Sequence, residues 1–237
     1  MAKLSFKPER VAVFSSNENP AYYMFADPVR QAWTNMGFNS LFIDISPSRS
    51  IVPSSIVPTA SQSQIIRVLA PALFPDKLFV LSDIDMLPLN SDYFHAACDL
   101  IDDDLKLVNM TSNAYNHESK FPICYYVGMG SAFAAVTGVK SQDDIERIMK
   151  EWWSEGHGWI TDEVCFGREA FKAAAEGRIS LDLRVRPQTD DRIDRSNWNY
   201  DSDRLMNHDY IDSHMLRPFA DYVEQLRPVF RSVGVEI

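Results

Sequence analysis

The apolar positions of the chain alternate between short continuous runs and helical periods. Val11-Ala12-Val13-Phe14 predicts a first buried strand, with Ser15-Ser16-Asn17-Glu18-Asn19-Pro20 as a polar loop after it. Val29, Ala32, Trp33 and Met36 then fall at the i, i+3, i+4, i+7 spacing of one buried helix face. Asp27 is the expected N-cap of that helix, Pro28 takes its first position and Gly37 ends it. Leu41-Phe42-Ile43-Asp44-Ile45 reads as the second strand, so the opening is strand, helix, strand, which predicts a parallel pair with a right-handed crossover.

Ser46 to Thr59 carries Pro47, Pro53 and Pro58 and reads as a loop. Ser61 or Ser63 starts the next helix, with Ile65, Ile66, Val68 and Leu69 as its apolar positions and Pro71 at its end. Leu78-Phe79-Val80-Leu81-Ser82 is a buried strand that closes on Asp83-Ile84-Asp85, and Met86-Leu87-Pro88-Leu89 is a further apolar patch. A helix from Ser91 and a strand at Leu105-Lys106-Leu107-Val108 follow. Ile123 to Val127 and Ser131 to Ala135 read as paired strands around Gly128-Met129-Gly130. Ser141 with Asp144 resembles a capping box opening a helix through Trp152 and Trp153. Asp162 lies near the start of a helix towards Ala175, and Ile179 to Val185 is a strand. Arg186 to Asp209 lacks periodicity and reads as a long loop, of the kind that is functional or mobile. Tyr210 to Phe219 then precedes a final helix ending near Phe230. No internal repeat is visible, and the alternation of strands and helices predicts an α/β fold.

With 237 residues, 46% of them hydrophobic, the chain fits one large domain with a sizeable core. A net charge of -10 argues against a general nucleic-acid binder, which needs a basic stripe for phosphates, but it is compatible with a nucleotide held through a bridging cation. Cys98, Cys124 and Cys165 are too scattered for a disulfide framework or a zinc site and are expected to be buried free thiols. Residues 1–8 lack the apolar core of a signal peptide, and no stretch approaches the roughly 18 apolar residues of a spanning helix, so a soluble, cytoplasmic protein is expected.

The chemistry is expected at Asp83 and Asp85. A buried strand that ends on two carboxylates delivers them to the sheet edge where open α/β sheets bind ligands, and where the chain turns both can reach one hard divalent cation. An ordinary strand-to-helix turn with an Asp cap is the plainer alternative. The same pattern at Asp102-Asp103-Asp104 and Asp201-Ser202-Asp203 lies in polar surroundings and reads as solvated surface. Arg67, amid Ile65, Ile66, Val68 and Leu69, must pair or reach solvent, which makes it a candidate contact for a bound ligand.

The stretch Gln64-Ile65-Ile66-Arg67-Val68-Leu69-Ala70-Pro71-Ala72-Leu73, leading into Leu78 to Asp85, resembles the GT-A glycosyltransferases, glycogenin-like and bacterial capsule-type enzymes in particular. The resemblance runs from about Val11 to Phe219. It implies one domain with a Rossmann-like mixed central sheet flanked by helices, with a nucleotide-binding part at about 9–110 and an acceptor and catalytic part at about 111–237. It also implies a Mn²⁺ or Mg²⁺ ion on Asp83, Asp85 and His214, with Asp83 also contacting the donor and Arg217 reaching its diphosphate. His208, six residues earlier, is the alternative imidazole, and Asp212 is placed to orient His214. Ser15, Ser16, Asn17 and Asn19 would hold the base and ribose, although a plain turn explains them nearly as well. His95, His117 and His157 are expected on the surface.

By the same resemblance Asp162 or Glu163, opening a late helix, would be the general base on the acceptor hydroxyl, whereas Asp162 as a plain N-cap is the structural alternative. Glu163 stands where retaining relatives often have Gln, which favours inversion. Trp152, Trp153, Trp159 and Trp198 are candidates to stack on sugar faces or to fill the core. The expected activity is metal-dependent transfer of a sugar from a nucleotide diphosphate sugar, with UDP as the nucleotide, to a hydroxyl of a glycan or glycoprotein acceptor. A haloacid-dehalogenase-like phosphatase, a sugar nucleotidyltransferase and a non-catalytic carbohydrate-binding or assembly module are the rivals. The phosphatase motif normally follows the first strand, and a nucleotidyltransferase needs a Gly-rich basic loop that Ser15 to Pro20 lacks.

Overall fold

The computed structural model describes residues 8–114, 121–186 and 190–237, so His117 lies outside the described residues. The chain opens with β1 (Arg10–Asn17), a short helix α1 (Pro20–Tyr23), α2 (Ala26–Asn35) and β2 (Asn39–Ile45). The helix α3 (Thr59–Leu69) and a 3₁₀ turn (Ala70–Leu73) lead to β3 (Leu78–Leu81) and, past the two aspartates, to β4 (Met86–Pro88). Then come α4 (Ser91–Asp99), β5 (Lys106–Asn109), β6 (Tyr126–Met129), α5 (Gly130–Thr137), α6 (Gln142–Ser154) and α7 (Thr161–Ala175). The last third carries β7 (Ser180–Leu183), β8 (Arg192–Asp194), α8 (Ser202–Met206), β9 (Asp212–His214) and α9 (Val223–Ser232).

Six strands form one mixed sheet in the order β2-β1-β3-β6-β5-β7. As the sequence predicts, β1 and β2 are parallel; β3 joins the other side of β1, also parallel, while β6 runs antiparallel to both β3 and β5. The α/β class and the mixed central sheet with flanking helices are therefore the architecture of this chain. Alternate strand residues feed two cores. Ala12 and Phe14 pack with Trp33 of α2, Phe94 of α4 and Phe230 of α9, whereas Val11 and Val13 pack with Ile65 of α3, Phe133 of α5, Met149 of α6 and Phe166 of α7. A sheet covered on both faces needs strands apolar on both sides, which is why they read as unbroken runs.

Several boundaries differ from the sequence reading. The helix α2 starts before Asp27, with Phe25 at its N-cap, and Asp27 pairs with Arg30 in the first turn. The strand β1 extends through Ser15, Ser16 and Asn17, so these three lie on a strand end and not in a loop. The loop before α3 is fixed by buried Gln62: its Oε1 accepts from Ile51 N and Val52 N, and its Nε2 donates to Val52 O and Val57 O. Ser131 to Ala135 lies in α5 and is not a strand. A short run of small apolar residues suits either period, and the tertiary approach at Gly130 decides. A Cβ on Gly130 would lie 2.6 Å from Pro71 O and would collide with Phe74 O, so the backbone of the preceding 3₁₀ turn packs directly on the helix start. Gly130→Ala is expected to cost about 1–3 kcal/mol by overpacking, read as a lower denaturant midpoint; an unchanged midpoint would contradict this close approach.

The stretch read as a loop from Arg186 to Asp209 contains β8 and α8. With β9 and β4, β8 builds a second, three-stranded sheet in the order β4-β9-β8. Its register places Met86 opposite His214, Arg192 opposite Asp212 and Asp194 opposite His214. A buried ion cluster welds β8 to β9. Asp212, fully buried, accepts Arg186 Nη1 and Nη2 at 3.0 Å each, Arg192 Nε at 2.7 Å and Arg192 Nη2 at 2.9 Å. Burial opposes ionisation of Asp212, but the two guanidiniums outweigh it and hold the carboxyl well below the usual range.

Candidate active site

The topology creates the cleft. Because β1 lies between β2 and β3, the chain crosses over β1 between β2 and β3, and the parallel C-terminal ends of β1 and β3 open on the same crevice. A cleft of about 470 Å³ lies there, lined by Ser15, Ser16, Asn17 and Asn19 from the β1 end, Arg67 from α3, Asp83 and Asp85 from the β3 end, and Asp162 and Glu163 from the first turn of α7. Arg195, His214 and Arg217 close its other wall. Apart from the alternative imidazole His208, the donor, metal and catalytic candidates from the sequence thus border one cavity.

Two clusters of charge organise it. In the first, Arg67 pairs with Asp83 and donates to Asp162 Oδ2 at 2.8 Å, tying the β3 end to the start of α7. Asp162 is 1% exposed and makes no capping bond; Ile160 holds the N-cap position, which corrects the N-cap alternative. Glu163, one residue on, is only partly buried. In the second cluster, three cationic or ionisable donors converge on one oxygen of Asp85. Oδ2 is 2.6 Å from Arg195 Nη1, 3.4 Å from Arg217 Nε and 3.5 Å from His214 Nε2. Burial pushes the Asp85 carboxyl up, but His214 and Arg195 outweigh it, so the group is held ionised below the usual carboxylate range.

The small sheet sets this second cluster. Met215 N donates to Asp85 O at 2.9 Å, so His214 sits beside Asp85, and Asp194 is 3.4 Å from His214 Nδ1 on the next strand. The ring is thus held between two carboxylates, Nδ1 facing Asp194 and Nε2 facing Asp85, and in the tautomer that donates from Nδ1 to Asp194 its Nε2 is free to ligate a cation. The residue orienting the imidazole is therefore Asp194; Asp212 is committed to Arg186 and Arg192. The alternative imidazole, His208, stands outside the cleft lining, in a left-handed turn with Nδ1 3.0 Å from Leu89 O. Arg217 lies 4.4 Å over the Tyr22 ring.

The remaining candidates divide. Ser15 spends its hydroxyl on Ser63 O and Asn19 caps α1, so both line the cleft while performing structural work. Asn17 donates to Thr59 Oγ1 at 3.3 Å. Among the tryptophans, Trp159 is 57% exposed on the cleft, whereas Trp152 is core and Trp153 and Trp198 pack against it. His95 is not simply on the surface, since its ring lies between Arg10 and Met36 O. Asp102 and Asp103 are exposed, and Asp201 caps α8. The three cysteines are buried free thiols. Sequence reasoning missed Asp194 and Arg195; the alternation in Arg192-Ile193-Asp194 was the available signal, too short to stand out.

The donor types fit a hard divalent cation at Asp85, namely a buried carboxylate, an imidazole whose Nε2 faces it with Asp194 behind Nδ1, and Asp83 two residues away, both carboxylates being paired with guanidiniums in this structure. Asp83, Asp85 and His214 do not themselves form a set of ligand atoms within 4.8 Å of one another; among the described residues that holds for Glu155, His157 and Cys165. There, both Glu155 oxygens are taken by Arg168 at 2.5 and 2.9 Å, and burial pushes the Cys165 thiol up to about 12, which marks an anchored turn. Among the described residues no helix is long and apolar enough to cross a membrane.

No family model matches the chain, and no curated protein matches it. Among solved structures it is similar to one described as a glycosyltransferase involved in the glycosylation of the major capsid of PBCV-1. The TM-score is 0.48 at 11% identity, over 92% of this chain and 98% of that one.

Proposed function

We propose that this chain is a divalent-metal-dependent glycosyltransferase that moves a sugar from a nucleotide diphosphate sugar, with UDP as the expected nucleotide, to a hydroxyl of a glycan acceptor with inversion. The observation that carries the reading is the delivery of Asp83 and Asp85 by a buried strand into a switch-point cleft, with Asp85 facing His214 and Arg217. Asp85 and His214 would hold Mn²⁺ or Mg²⁺, with Asp83 close by. Such an ion supplies charge compensation for a departing diphosphate.

The protein's own groups do the rest. Arg217, stacked on Tyr22, would reach the diphosphate, and Ser16 and Asn17 at the β1 end would hydrogen-bond the base or ribose. Glu163 takes the proton from the acceptor hydroxyl as that oxygen attacks the anomeric carbon, while Asp162, closed off by Arg67, fixes the start of α7. Trp159, 57% exposed, lines the same cleft as Glu163 and would offer a stacking surface to a sugar.

Incubation with a panel of nucleotide sugars and glycans in Mn²⁺ tests this directly. Release of nucleoside diphosphate with a new glycoside is expected. Phosphate release from phosphomonoesters without any glycosyl product would favour the phosphatase reading, and saccharide binding without turnover the non-catalytic one.

A further inference from the structure

Arg195 stands at the end of β8, in a turn fixed by Asp194, whose Oδ1 accepts from Ser196 N and Oγ at 2.8 and 2.6 Å. Its Nη1 donates to Asp85 Oδ2 at 2.6 Å, and Asp85 is its partner among the described residues. That oxygen is also the one nearest His214 Nε2. A divalent cation shared by Asp85 and His214 would therefore meet a guanidinium on the same carboxylate oxygen, and like charges at such range in a protected cleft repel strongly.

Arg67 is not in the same position. It is held by two carboxylates, one of them buried Asp162, and keeps an anchor if Asp83 is engaged elsewhere. Among the described residues Arg195 has no such second hold, and its side chain is 29% exposed on the cleft lining. The lining carries four carboxylates, Asp83, Asp85, Asp162 and Glu163, against the guanidiniums of Arg67, Arg195 and Arg217. A diphosphate entering this cleft brings further negative charge, and a planar guanidinium matches its oxygens in a two-pronged way.

Building on the reading of the cleft as a nucleotide-sugar site, we propose that Arg195 is a diphosphate ligand that exchanges partners. Its guanidinium yields Asp85 to a divalent cation and closes on the diphosphate of the donor. Before donor arrival the same side chain pairs with Asp85 and offsets its charge in a buried site. The exchange makes and breaks hydrogen bonds only.

The idea predicts effects of opposite sign in one variant. In Arg195→Gln, Mn²⁺ alone, followed by electron paramagnetic resonance, should bind about three- to tenfold more tightly, because a competing positive charge is gone. UDP titrated calorimetrically at saturating Mn²⁺ should bind about tenfold or more weakly, the scale of a lost hydrogen bond to a charged group. Arg195→Lys, which keeps the charge but not the fork, should fall between wild type and Gln for UDP. A merely structural arginine would weaken both ligands together. That result, or an unchanged affinity for either ligand in Arg195→Gln, overturns the partner exchange. If wild type itself binds no UDP in Mn²⁺, the reading of the cleft fails and the exchange fails with it; UDP binding by wild type with any other response in the variant rejects the exchange alone.

Discussion

Glu163→Gln should lower sugar transfer by about a hundred- to ten-thousandfold, the contribution of a positioned general base, while Mn²⁺-dependent UDP binding stays near wild type. The expectation rests on the contrast between two neighbouring carboxylates. Asp162 is 1% exposed and its Oδ2 is already engaged by Arg67. Glu163 lines the same cleft from the first turn of α7 and is only partly buried. Asp162→Asn should behave differently, because loosening Arg67 also disturbs Asp83 and with it donor binding. Transfer rates and UDP affinities measured side by side separate the two, and NMR of the product gives its configuration. Full transfer in Glu163→Gln, together with a loss in Asp162→Asn at unchanged UDP affinity, would move the base to Asp162.

Asp212→Ala should destabilise the fold by about 3–5 kcal/mol, the scale of leaving a buried charge uncompensated. Two guanidiniums, Arg186 and Arg192, donate to this one buried carboxylate, and Asp191 is 2.5 Å from Arg186. Without Asp212 the remaining Arg186, Arg192 and Asp191 carry one uncompensated positive charge in a largely buried place. Asp212→Asn keeps the shape but not the charge and should recover only a small part. The sign with pH follows from the lowered carboxyl. This stabilisation is complete above the ordinary Asp value of about 3.9 and is lost only as pH falls through the lower folded value, so wild type should retain it in mild acid. Urea unfolding at neutral pH reads the cost. A loss below about 1 kcal/mol would show that the cluster is hydrated and that β9, and His214 with it, is positioned by other contacts.

How much of this was legible depended on where each residue is held. The strands β1 and β3 declared themselves because burial on both faces makes continuous apolar runs, and Asp83 and Asp85 stood out because they close one. His214 and Arg217 came from the resemblance and not from any pattern. Asp194 and Arg195 escaped because three-residue strands in a polar stretch leave no period to read. Asp212 was assigned to His214 on sequence proximity, yet in a sheet the partner is the cross-strand neighbour: Arg192 lies opposite Asp212, and Asp194 opposite His214. The helix at Ser131 to Ala135 was misread because the close approach at Gly130 comes from a turn more than fifty residues earlier.

The central claim is that this cleft binds a nucleoside diphosphate through a divalent ion on Asp85. Calorimetric titration of UDP in Mn²⁺ and in EDTA addresses it most directly. The structure leads us to expect binding in Mn²⁺ that is lost in EDTA and in Asp85→Ala; equal UDP affinity in Mn²⁺ and in EDTA would contradict it.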